Sequence, residues 1–308
     1  MLHLTELHYR KSLPGLPATA VFGADGYIGS NILAGLRRAN PDCVGVGRRP
    51  SAGSTGFDLA DPDIAPLGLK SRGITHAVIA AGITQLSLCE QNPAATRAVN
   101  VHGVTELSRQ LSIEGIRVVT FSSDYVFDGI DGSYLENSPV NPLNEYGRQK
   151  VELESRLLGS GDRDILVIRL SKVFDVCWGS GTLLDEIASR LLRGIPVQAA
   201  TDQYFCPVLI DDVVMAVLYL LVSEKAGIVH LCAPARTSRL DLAFKVADVF
   251  GCSRELVQRI SLNDLDDKLC RPLDTTMVCT HIDQMPPGCF TSLDSCIARL
   301  QSNYVNRG

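Results

Sequence analysis

The chain has 308 residues, ten cysteines and a formal charge of −5 over an ordinary globular composition. That length permits one large domain with an appendage around a substantial core, while the mildly acidic balance offers no basic field for nucleic acid or anionic lipid. The longest apolar run, "VVMAVLYLLV", is about half a membrane span, so no membrane partner is expected.

No two cysteines lie closer than seven residues, which leaves no C-x-x-C redox or ligand pair. Buried free thiols in a reducing compartment are expected instead. The opening "MLHLTELHYRKSLPGLP" puts Glu6 and histidines where a signal core would be apolar, so residues 1–16 read as a leading tail and the protein as cytoplasmic.

The first element is "ATAVFG", residues 18–23, a short apolar run closed by glycine and followed by a helical pattern with Ile28, Ile32, Leu33 and Leu36 on one side. The turn between them, "GADGYIG", spaces Gly23, Gly26 and Gly29 as G-x-x-G-x-x-G. The first two let backbone turn tightly against a pyrophosphate, and the third lets the helix pack close to the sheet. Asp25, Tyr27 and Ile28 of this loop join them as dinucleotide contacts. A second strand, "CVGVG", runs into "VGRRP" without the carboxylate that would hold a ribose 2′-hydroxyl. Arg48 and Arg49 stand there, either as surface charges or as partners of a 2′-phosphate, which favours NADP(H) while leaving NAD(H) admissible. In "FDLAD", Asp58 either accepts from adenine or opens a turn, with Leu59 beside it.

A third strand, "THAVIAAG", ends in Ala80, Ala81 and Gly82, whose small side chains let a dinucleotide lie against the backbone. A helix is expected over "NPAATRAVNVHGVTELSRQLS", then a fourth strand in "IRVVTFSS". "NEYGRQK", residues 144–150, sets Tyr146 and Lys150 one helical turn apart. A further strand, "DILVIRL", completes an alternation that predicts a parallel sheet covered on both faces. The second half is less regular, with helices near 182–193, 211–223 and 239–250 and a strand at "GIVHLC".

Taken together, "GADGYIG", "FSSDYVFDG", "YGRQK" and "RPLDTT" resemble the extended short-chain dehydrogenases, most closely the dTDP-4-dehydrorhamnose reductase branch of the NAD-dependent epimerase/dehydratase superfamily, from about Ala18 to Met277. The resemblance implies an α/β fold: a Rossmann-type doubly wound parallel sheet with a smaller α/β C-terminal substrate-binding region. The expected division is 17–175 for dinucleotide binding, with 197–232 returning to it, and 176–196 plus 233–308 for substrate.

It also places catalysis on Ser123, Tyr146 and Lys150. Hydride reduction of a ketone leaves an alkoxide that needs a proton, and a phenol can give it if a neighbouring cation stabilises the anion. Ser123 would hold the developing oxyanion. Ser122 is its rival, since adjacent strand residues face opposite sides.

On the substrate side the resemblance offers Thr84 and Leu86, which could equally be loop packing; on the cofactor side it offers Asn100, as a brace of the active-site strand or an ordinary helix asparagine. Asp124 is followed by Tyr125, not by the glutamate that related dehydratases use, so simple carbonyl reduction is preferred. Lys172 stands where the reductases generally carry an aromatic; it either meets a phosphate or carboxylate or points outwards. Gln203 and Pro207 match a substrate-side turn, and Arg271 either faces a diphosphate or binds Asp274. No acidic cluster matches a metal site, and His230 with Cys232 reads as core.

The expected activity is NADPH-dependent reduction of the keto group of a nucleotide-activated 4-keto (deoxy)sugar, with Tyr146 as general acid and a nucleotide sugar as the small-molecule partner. An epimerase and a non-catalytic NADP-binding regulatory subunit are the alternatives, and a homodimer is left open.

Overall fold

The computed structural model describes residues 15–49, 54–159, 164–223, 225–265, 267–281, 285 and 289–306, so residues 1–14 of the expected tail lie outside it. Six strands open the main sheet: β1 (Thr19–Phe22), β2 (Val44–Gly47), β3 (Ser54–Gly56), β4 (His76–Ile79), β5 (Arg117–Ser123) and β6 (Ile165–Leu170). Every residue of β1, β2 and β6 is buried, as strands covered on both faces require.

Among the described residues seven strands share this sheet, in the order Gly227–Leu231, β6, β5, β4, β1, β2, β3. The pairings of β1 with β2 and with β4 are parallel; Ala20 stands opposite Val44 on one side and Ala77 on the other. The winding therefore reverses at β1, and the crevice beyond the carboxyl ends of β1 and β4 is where such sheets take ligands. This is the doubly wound Rossmann-type sheet expected above.

Helix α1 (Tyr27–Ala39) follows the glycine loop and buries Ile32, Leu33 and Leu36. After β4, α2 (Leu86–Gln91) forms in a stretch read as loop, and the helix expected over 92–112 is broken into α3 (Pro93–Arg97), a π-helical turn (Ala98–Gly103) and α4 (Val104–Ile113). Gly103 explains one feature of the break: a Cβ there would fall 1.9 Å from the Leu59 carbonyl oxygen, so backbone meets backbone. Helix α5 (Glu145–Gly159) carries Tyr146 and Lys150.

The chain groups into two units: the first takes residues up to Ser122, Arg148–Ile168 and Val214–Val229, the second Ser123–Gly147, Arg169–Val213 and His230 onward. In the first, Phe22, Val46, Ile79, Leu107, Val118 and Val167 share one core. In the second, Phe174, Leu184, Phe205, Leu242, Val246 and Leu300 share another.

The two units divide the chain differently from the expected division: 123–147, 169–175, 197–213 and 230–232 fall in the second unit. For 197–213, strand pairing is the reason. Val197–Ala200, Tyr204–Phe205 and Val208–Leu209 pair with Val257–Ile260, Thr237–Ser238 and Val173–Phe174, none of which belongs to the large sheet. A helix over Leu293–Val305, burying Cys296, Ile297 and Leu300, completes the second unit without having been expected. Among the described residues no helix is long and apolar enough to cross a membrane.

The Gly103 contact generates a stability test. Gly103→Ala should lower the unfolding free energy by about 3 kcal/mol in urea titration, as overpacking against backbone does. Gly159→Ala, whose Cβ would meet nothing within 4 Å, should leave it nearly unchanged.

Candidate active site

The glycine loop is a cradle that side chains would fill. Gly23 adopts φ +85°, in the left-handed region, and its N–H donates to the Val46 carbonyl at 2.8 Å. A Cβ on Gly23 would lie 2.6 Å from the Ala81 nitrogen, and one on Gly29 would lie 2.2 Å from the Gly23 carbonyl oxygen. Loop, helix and the end of β4 therefore touch through backbone. Gly26 caps α1 without a side chain and, with Tyr27, is exposed, leaving the helix N-terminus open to a phosphate. Ile28 is half-buried behind it.

Around this cradle the sequence candidates divide. Arg48 and Arg49 are both exposed just beyond β2. Ala80 and Ala81 are half-buried, Gly82 and Thr84 are exposed, and half-buried Leu86 begins α2. Asp58 takes the turn role: its Oδ1 accepts from the Ala60 N–H at 2.9 Å. The side chain of Leu59 is buried in the core of the first unit, which leaves its backbone to face a ligand.

Asn100 acts as a brace. Its Oδ1 accepts from Ile83 N–H at 2.7 Å, and its Nδ2 donates to the Ile83 carbonyl and to Gln149 Oε1, each at 2.9 Å. Both amide hydrogens are spent and the residue is 1% exposed, so Asn100 positions the loop after β4 against α5. The widened turn at 98–103 aims it there.

Lys150 is 7% exposed, and its Nζ donates to the Phe121 carbonyl on β5 at 2.8 Å. Burial lowers its pKa to about 8, with Glu154 and Cys89 pulling the other way. One turn earlier on α5, Tyr146 is 9% exposed and meets the Tyr125 ring edge-on at 6.3 Å. Between them, Gly147 has a role the sequence did not suggest: a Cβ there would fall 2.3 Å from the Tyr125 carbonyl oxygen. The first turn of α5 is thus seated on the turn 124–126 that follows β5.

Ser123 opens that turn. Its Oγ accepts from Tyr125 N–H at 3.2 Å and donates to Asp124 Oδ1 at 3.0 Å. Ser122 Oγ is buried and has no hydrogen-bond partner among the described residues.

The second unit gathers charge around Asp124 and Tyr125. Asp124 is 5% exposed, and burial raises its pKa to about 6 against the opposing pull of Thr275, Ser123 and Lys172. Tyr125 is pushed up to about 12, first by burial and then by Asp124, while Arg239 and Arg271 oppose. Lys172 keeps solvent access; its pKa is lowered by partial burial and by Arg239, and its tie to Asp124 is screened by water. Arg271 is held by Asp267, and Asp274 instead pairs with Arg236 at 2.9 Å, so the expected Arg271–Asp274 alternative does not form.

Arg239 went unnoticed in the sequence. Its Nε donates to Gln203 Oε1 at 3.0 Å, its backbone N–H donates to the Gln203 carbonyl, and burial lowers its pKa with Tyr125 and Glu186 opposing. It also lines a cavity of ≈ 620 Å³ within the second unit, together with Glu186, Arg190, Gln198 and Gln258. The only signal available was its place directly after Ser238, a helix cap. His230 and Cys232 are core: His230 is 0% exposed, and Cys232 Sγ donates to the Met277 carbonyl at 3.2 Å.

Residues 18–301 match the family described as RmlD substrate binding domain. The chain is 28% identical over 292 residues to the "Probable low-salt glycan biosynthesis reductase Agl14" of Haloferax volcanii, covering 92% of this chain and 97% of that protein. It is 27% identical over 280 residues to the dTDP-4-dehydrorhamnose reductase of Sinorhizobium fredii, covering 86% and 90%. The crystal structure of a dTDP-4-dehydrorhamnose reductase from Bacillus anthracis in complex with NADP matches with a TM-score of 0.80 at 16% identity, over 94% of this chain and 99% of that one. At that identity the likeness speaks for the fold.

Asp124 makes stability depend on acid in a stated direction. Its folded pKa of about 6 lies above its ordinary 3.8, so the folded state binds more protons between those values. The group's contribution is full below pH 4 and is lost as pH rises through 6, by an amount on the order of 3 kcal/mol. Asp124→Asn should remove that slope, read as the difference between wild-type and variant melting temperatures from pH 4 to pH 7; parallel profiles would contradict the burial argument.

Proposed function

The chain belongs to the RmlD substrate binding domain family, and on that premise we propose that it reduces the keto group of a nucleotide-activated 4-keto sugar with NADPH, Tyr146 acting as the proton donor. The observation that carries this reading is Lys150: a buried ammonium fixed on Phe121, one turn along α5 from a buried phenol.

The residues of the first unit suit a dinucleotide. The glycine cradle admits no Cβ at Gly23 or Gly29, the N-terminus of α1 is open, and Arg48 and Arg49 are exposed beside β2. When bound, NADPH supplies the hydride. Tyr146 then gives its hydroxyl proton to the carbonyl oxygen as that oxygen takes up the π-bond pair. Lys150 makes the loss of that proton less costly, because a phenolate forms next to a cation in a site with little water; moving a phenol from about 10 towards 7 takes roughly 4 kcal/mol. Ser123 steadies the oxygen once its hydroxyl swings from Asp124 to the substrate.

On the substrate side, Arg239, Lys172 and Arg271 bring three cations near Tyr125 and Asp124, a charge pattern suited to a diphosphate. The cavity beside Arg239 has room for the nucleoside end. The name of the Sinorhizobium fredii relative, a dTDP-4-dehydrorhamnose reductase, supports the same substrate class.

Tyr146→Phe should bind NADPH with unchanged affinity in fluorescence titration while turnover of 4-keto sugar nucleotides falls by about 10³-fold. Comparable turnover would remove the proposal. In the wild type, kcat/KM for reduction should fall as pH rises through about 8, where Lys150 loses its proton. Arg239→Met should raise the sugar-nucleotide KM by about tenfold or more and leave the NADPH Kd alone. Purified protein that holds stoichiometric NAD and shows no net NADPH oxidation would instead identify an epimerase.

A further inference from the structure

At the end of β2 a carboxylate from the glycine loop meets the strand. A Cβ built on Gly47 would fall 2.1 Å and 2.2 Å from the two carboxylate oxygens of Asp25. Asp25 belongs to the glycine loop, yet its carboxylate lies flat on the last residue of β2. Glycine at 47 is what makes room for it; any side chain there would displace it. Phe57 N–H donates to the Gly47 carbonyl at 2.8 Å, which fixes the strand end beneath the carboxylate.

In doubly wound sheets the adenosine ribose lies at the carboxyl end of the second strand, where an acid from that strand usually accepts from the 2′-hydroxyl. Here the strand contributes glycine, then Arg48 and Arg49. Asp25, Arg48 and Arg49 are all exposed, and among the described residues none of the three forms an ion pair. Two signs of charge therefore meet where the 2′-substituent would lie.

We propose that Asp25 is a specificity-determining residue for the dinucleotide: from the glycine loop it accepts from a free ribose 2′-hydroxyl and repels a 2′-phosphate, offsetting Arg48 and Arg49. The inference rests on the reading of the first unit as a dinucleotide site, and it deepens that reading. On this reading a chain with two arginines at this position also takes an unphosphorylated ribose. A carboxylate cannot donate to phosphate oxygens, so its effect on NADPH is repulsive, and it weakens as salt rises.

Equilibrium binding separates the two ideas without turnover. Kd values for NADPH and NADH are measured by calorimetry on the wild type and on Asp25→Asn, at low salt and at about 0.5 M salt. The exposed position makes the variant benign to folding. The ratio Kd(NADH)/Kd(NADPH) should rise about tenfold in the variant at low salt, with a smaller rise at high salt. A ratio unchanged within twofold, or one that falls, overturns the role of Asp25 while the dinucleotide reading stands. Binding of neither cofactor by the wild type overturns both. The double variant Arg48→Ala/Arg49→Ala should shift the ratio in the opposite direction, and a shift in the same direction as Asp25→Asn would also count against the inference.

Discussion

A single hydrogen bond organises the proposed chemistry of this protein: the Lys150 ammonium on the carbonyl of Phe121. It ties α5 to β5, and it does so with a charge withdrawn from water. Isolation of that kind lowers the lysine pKa, yet leaves the group mostly protonated near neutrality. The same withdrawal strengthens whatever the ammonium does to the phenol one turn away, because little solvent remains to screen it. A surface lysine at the same helical spacing would exert a far smaller pull.

The surroundings are arranged to keep that bond in place. Asn100 clamps the loop after β4 to Gln149, the residue before Lys150, while Gln149 Nε2 reaches Thr96 Oγ1 at 2.9 Å. Both amides are buried, and in such a setting a hydrogen bond left unmade would cost more than a made one contributes. Gly147 brings the first turn of α5 down on Tyr125. Neither Asn100 nor Gly147 needs to touch a ligand to matter for the orientation of Tyr146 and Lys150.

The parts legible in the sequence are those encoded by local pattern. Glycine spacing between a buried strand and an amphipathic helix marked the loop at 23–29, and strand–helix alternation marked the sheet. The Tyr146–Lys150 spacing marked the helix face. What escaped was set by distant pairing. Short strands of two to four residues, such as Tyr204–Phe205, carry too little periodicity to reveal that they leave the main sheet. Arg239 gains its surroundings from Gln203, Tyr125 and Glu186, which are remote in sequence. The burial of Leu59 escaped for the opposite reason, since a residue adjacent to a plausible acceptor can still turn its side chain into the core. Asp25 stood inside a recognised motif, but only the geometry reveals that it reaches across to Gly47.

The π-helical turn at Ala98–Gly103 has an implication for anyone recombining this chain with its relatives. One surplus residue in a helix rotates everything after it by about 100° relative to everything before. Grafting a segment of uniform α-helix between Pro93 and Ile113 would therefore put α3 and α4 out of phase. Either Asn100 would lose Ile83, or the apolar stripe through Leu107 and Leu111 would swing off the sheet. The length of this segment is as much a fixed quantity as the identity of any residue in it.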